Sequence, residues 1–87
     1  MVLQRVETRT TGGRDIDVYD LYTEEDGDLV LRRIPADFES ILRSDRFQEA
    51  LEQIKAVKVS FKLATGGCWM EITAPRGQSG SPDVIPV

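Results

Sequence analysis

Eighty-seven residues, 40% hydrophobic and 30% charged with a formal net charge of −4, can enclose one small core and leave few residues for a cleft walled by supporting layers. The chain has no histidine and one cysteine. An internal disulfide, a four-ligand Cys/His zinc site and histidine acid–base chemistry are therefore excluded. The N-terminal run Met1-Val2-Leu3-Gln4-Arg5-Val6-Glu7 lacks the basic start and long apolar stretch of a secretory signal. No window approaches the roughly 20 apolar residues of a membrane span. One unpaired cysteine also contrasts with the several disulfides of small secreted domains. The expectation is a cytoplasmic protein with no membrane partner, its Met1 start that of a complete gene product.

In chain order, Val2 to Thr10, Ile16 to Tyr22 and Leu29 to Ile34 read as a three-strand meander turning at Thr11-Gly12-Gly13 and Asp26-Gly27. Two registers compete in the first hairpin. A three-residue Thr11-Gly12-Gly13 loop opposes Val6 to Val18 and Thr8 to Ile16, whereas a two-residue Gly12-Gly13 turn opposes Glu7 to Val18 and Arg9 to Ile16. Pairing like with like favours the first. The strand Ile16 to Tyr22 is apolar on both faces, which predicts a central position or a covering partner.

After Pro35, with Asp37 as a cap, Phe38, Ile41 and Leu42 fall on one helical face. Phe47, Ala50, Leu51 and Ile54 form a second set, and the step of five from Leu42 to Phe47 breaks the 3.6 period. This predicts helices over 36–43 and 46–56, with Asp45 and Gln48 in a capping-box spacing between them. Val57 to Ala74 then alternates with period two around Gly66-Gly67. Taking those glycines as the turn pairs Leu63 with Met70, Phe61 with Ile72 and Val59 with Ala74, and sets Lys62 against Glu71.

From Pro75 onward the Gly/Ser/Pro composition predicts a flexible tail over 76–87, following a single domain over 1–75. Its ending Asp83-Val84-Ile85-Pro86-Val87 resembles the acidic-then-apolar tip of bacterial single-stranded DNA-binding proteins, with one acid where that family has several and Val in place of Phe. The resemblance covers five residues and implies a peptide ligand for a partner.

These elements predict an α+β fold, an antiparallel sheet of about five strands with the helical segment on one face. The expected core is Val6, Ile16, Val18, Leu31, Phe38, Ile41, Leu42, Phe47, Leu51, Ile54, Val59, Phe61, Leu63, Met70 and Ile72. Tyr19, Leu21, Val30 and Ile34 would form a second apolar face suited to self-association.

Charge is unevenly placed. Asp15 to Asp28 holds seven acids and no base, leaving eight acids against eleven bases elsewhere. One reading is a solvated hairpin whose charges deter aggregation; the other is an acidic protrusion for a basic surface, using Asp17, Asp20, Glu24, Glu25, Asp26 and Asp28. The run Glu24 to Asp28 lacks the ligand spacing of an EF-hand, so no metal or other cofactor is expected. Cys68 alternates onto the core face without an activating histidine. Lys58, Lys62, Trp69 and Glu71 share the outer face, where Trp69 could anchor a partner or stack a nucleotide base.

With no nucleophile–base or metal constellation, the chain reads as a non-enzymatic, protein-binding module: a regulator, adaptor or inhibitor of a larger protein, itself a nucleic-acid binder in one version. The alternatives are a single-stranded nucleic-acid-binding module and a self-associating accessory protein, the latter a homodimer.

Overall fold

The computed structural model describes residues 1–76 and 82–87. Strands β1 (Val2–Thr11), β2 (Arg14–Glu25) and β3 (Asp28–Leu31) form the meander. Helices α1 (Phe38–Arg43) and α2 (Asp45–Ile54) follow, then a second hairpin of β4 (Lys58–Ala64) and β5 (Gly67–Pro75), and finally β6 (Val84–Pro86). The fold is α+β, with one antiparallel sheet ordered β4-β5-β2-β1-β6 and β3 also paired to β2. Tyr22 lies between Val2 and Leu31, and Asp20 between Gln4 and Glu71. Thus β5 and β3 follow one another along one edge of β2 while β1 takes the other. No described helix is long and apolar enough to cross a membrane.

The register of the first hairpin corrects the expectation. Gly12 and Gly13 both have positive φ, 60° and 77°, as a two-residue primed turn requires. Glu7 therefore opposes Val18 and Arg9 opposes Ile16, until a bulge between Arg5 and Glu7 resets the pairing to Arg5 with Tyr19 and Leu3 with Leu21. Turn geometry outweighs like-with-like pairing, and the bulge absorbs the conflict with one extra residue. It also reverses the alternation of β1: Leu3 and Arg5 share a face with Thr8, whereas Glu7 and Arg9 point the other way.

The second hairpin turns one residue earlier than expected. Thr65 and Gly66 are its central residues, with Gly66 at φ 96° in the position of a type II turn that demands positive φ. Leu63 therefore opposes Cys68, Phe61 opposes Met70, Val59 opposes Ile72 and Lys62 opposes Trp69. Every face assignment survives, because the register moves by an even number of residues.

Both helices begin close to their predicted starts. Ser44, not Asp45, caps α2 by accepting from the Phe47 N–H, and α2 ends at Lys55 in the left-handed conformation, φ 55°. Asp37 precedes α1 without a side-chain cap, its carboxylate ion-paired to Arg32 instead.

The core lies between the helices and one sheet face. Tyr19 and Leu21 belong to it with Leu3, Ile34, Ile41, Phe47, Ala50, Ile54, Met70, Ile72, Ala74 and Ile85. This reverses the expected roles on β2: Tyr19, Leu21 and Ile34 form no second face, and Val18, although buried, points away from the helices. Ile16 and Leu31 are only partly buried, and Val6 in the bulge is exposed. Phe61 and Leu63, expected inside, are exposed at 42% and 85%, because β4 is an edge strand that the short α1 does not reach across. Phe61 still packs its ring on Phe38.

The predicted tail also needs correction. Residues 77–81 lie outside the described residues, but Val84–Pro86 pairs with Val2–Gln4 and Ile85 sits in the core. The Tyr19 hydroxyl donates to the Pro82 carbonyl at 3.0 Å, the Arg5 N–H to the Asp83 carbonyl, and the Val87 N–H to that of Met1. The apolar tip is thus engaged by the chain's own sheet. Ile85→Ala is expected to lower unfolding free energy by about 2–4 kcal/mol, measurable by urea unfolding; a change within error would mean that Ile85 contributes little to the core.

Candidate functional site

The acidic segment divides on folding. Asp17 is buried at 1% exposure on the helix side, where it accepts from Thr8 Oγ1 at 2.8 Å and pairs with Arg5 at 3.3 Å. It holds β1 to β2 and cannot meet a partner. Asp20 lies half-buried on the opposite face. Glu24, Glu25, Asp26 and Asp28 surround the Asp26-Gly27 turn and are exposed.

These last four sit on a projecting ribbon. Pairing of β2 to β5 ends at Asp20 and to β1 at Tyr22, so beyond Tyr22 the β2–β3 hairpin continues with no further strand beside it among the described residues. Glu25 and Asp28 oppose each other directly, a like-charge pairing that weakens the ribbon unless a cation approaches. None of the four forms an ion pair among the described residues. Leu29 and Val30 are exposed beside them.

The second candidate surface is the helix-free face of the sheet. The alternation of β4 and β5 brings Lys58, Lys62, Trp69 and Glu71 together there, as expected. Glu71, at 7% exposure, accepts from Arg9 Nη2 at 3.0 Å and pairs with Lys62 at 3.3 Å. Arg9 also pairs with Glu7. The Arg33 guanidinium lies over the Trp69 ring, 5.3 Å from its centroid, in cation–π contact. The segment before α1 places it there: the Ile34 N–H donates to the Cys68 carbonyl at 3.0 Å, and the Arg33 side chain runs close enough to Gly67 that a Cβ there would stand 3.5 Å from Arg33 Cδ.

Asp20 opposes Glu71 across the β2–β5 pair, and one of its oxygens is buried without a hydrogen bond among the described residues. Burial foremost, then the Glu71 charge, raises its pKa from 3.8 to about 6, against the opposing pull of Arg9. Sequence reasoning missed Arg9, Glu7 and Arg33. The first two reach this face because the two-residue Gly12-Gly13 turn sets Glu7 opposite Val18 and Arg9 opposite Ile16, the register that like-with-like pairing disfavoured, whereas Arg33 arrives by tertiary packing, which no local pattern marks.

Two shallow grooves flank α2, one against the start of β4 and one against β6, and neither lining contains Ser, Thr, Cys or Tyr. Cys68 is partly buried beside exposed Leu63. Comparison with protein-family models, curated proteins and solved structures finds no match.

Folded Asp20 holds its proton more tightly than the unfolded chain does, so the native state binds more protons between about pH 4 and pH 6. Its contribution to stability is consequently lost as pH rises through that window. Asp20→Asn is expected to flatten the decline and to be the more stable protein at pH 7 by about 1 kcal/mol, less than the full shift implies because the carboxylate is partly solvated. Urea midpoints at pH 4 and pH 7 test this; equal pH slopes in both proteins would refute it.

Proposed function

We propose that the chain is a non-catalytic module that binds a larger protein, presenting the β2–β3 ribbon to a basic surface. The observation that carries this reading is the placement of Glu24, Glu25, Asp26 and Asp28, exposed and without ion partners among the described residues, on a hairpin projecting past its neighbouring strands. An unneutralised acidic projection attracts a basic partner from a distance. Leu29 and Val30 add apolar area that would be buried on contact.

The single-stranded nucleic-acid reading has weaker support. It needs Lys58, Lys62 and Trp69 available together, whereas Lys62 is paired to Glu71, Arg33 covers the Trp69 ring, and Asp20 and Glu71 put negative charge in the middle of that face. Arg9 and Lys62 are already ion-paired and Arg33 is stacked on Trp69, so little of the positive charge on this face is left free for a phosphate backbone. Trp69 fluorescence is expected to stay unchanged on titration with a single-stranded oligonucleotide at low salt.

The acidic reading is tested with the combined variant Glu24→Gln, Glu25→Gln, Asp26→Asn and Asp28→Asn, in which Asn tolerates the left-handed conformation of Asp26. A partner cross-linked to the full chain in cells should bind the purified variant at least tenfold more weakly, with its salt dependence largely gone and its melting temperature preserved. Equal affinity and equal salt dependence would end this reading.

A further inference from the structure

Strand β4 is paired on one side only, to β5, over seven residues without a bulge. Among the described residues its other edge meets no strand. Edges of this kind are usually shortened, bulged or interrupted by proline, as β6 is with its three residues and Pro86. On β4, Val59, Phe61 and Leu63 share the helix side, the latter two exposed, while Lys58, Ser60, Lys62 and Ala64 share the other.

We propose that a second copy of this chain binds at β4, extending the sheet across a two-fold axis at Phe61. In that register Phe61 opposes Phe61 of the second copy, Val59 opposes Leu63, Ser60 opposes Lys62 and Lys58 opposes Ala64. All seven residues pair, apolar meets apolar on the helix side, and no charge meets its like. Sliding by two residues either way leaves five residues paired and sets Lys58 against Lys62 or Lys62 against its own copy, each a repulsive pair. A slide of one residue would put lysines against the apolar row. The pattern is therefore self-complementary in one register, as a two-fold interface requires. Within each copy the Lys62 ammonium is already compensated by Glu71, which lowers the repulsion that edge lysines ordinarily supply. The acidic ribbon is built on β2 and β3, neither of which pairs with β4.

The test uses the full chain at Ala64, an exposed position facing Gly67 within its own hairpin, where a longer side chain has room. Sedimentation velocity across a concentration series should show a reversible monomer–dimer equilibrium. Ala64→Glu, placed opposite Lys58 of the second copy twice by symmetry, should tighten it by about two- to tenfold at low salt, and Ala64→Lys should weaken it comparably. Leu63→Lys, at a side chain that is 85% exposed and so contributes little to the fold, should weaken it at least tenfold. A strictly monomeric protein at millimolar concentration would overturn the proposal, and so would a dimer indifferent to the charge at Ala64 and to Leu63.

Discussion

Everything in this molecule hangs on β2. Its twelve residues pair with β1 along one edge and with β5 and then β3 along the other, so its backbone groups between Ile16 and Tyr22 are engaged almost throughout by neighbouring strands. A central strand cannot shift register without breaking ladders on both sides. Its side chains are correspondingly committed: Tyr19 and Leu21 are in the core, and Asp17 ties β1 to β2 beside them through Thr8 and Arg5.

The two faces of β2 impose different physics on similar residues. On the helix side, apolar packing sets the geometry, and the one buried carboxylate there, Asp17, has two partners. On the helix-free side the described residues form no second layer, yet Val18 is buried there, between Glu7 and Thr73 of the neighbouring strands. That face carries Arg9, Glu71 and Lys62 in linked ion pairs and Asp20 with an oxygen that has no hydrogen-bond partner among the described residues. Long polar side chains can shield apolar surface while keeping their charges near water, which lets a small protein finish a sheet without a second helical layer.

Much of the architecture is legible in local pattern. Period-two runs around Gly-Gly and Asp-Gly mark the hairpins, the break between Leu42 and Phe47 separates the helices, and apolar residues on both faces of Ile16 to Tyr22 place that strand centrally. Clustering of Glu24, Glu25, Asp26 and Asp28 is equally plain, as is the shared face of Lys58, Lys62, Trp69 and Glu71. Less legible are the side of β2 that meets the helices and the bulge at Val6, since an alternating strand looks the same with either face inward and an extra residue leaves no mark in composition. Ile85 is hidden for another reason: three residues after a Gly/Ser/Pro stretch carry too little pattern to announce a strand.

The sequence by itself determined the α+β class, the hairpins, the two helices and the concentration of acid between Asp15 and Asp28, because turns, periodicity and charge act over a few neighbouring residues. Tertiary structure alone decided that Asp17 is an internal tie, that Asp20 stands against Glu71, that Arg33 covers Trp69 and that β4 is left as an edge. Those outcomes follow from which strands meet across β2, and contacts between residues as distant as Arg9 and Glu71 exist only once that long-range pairing has closed.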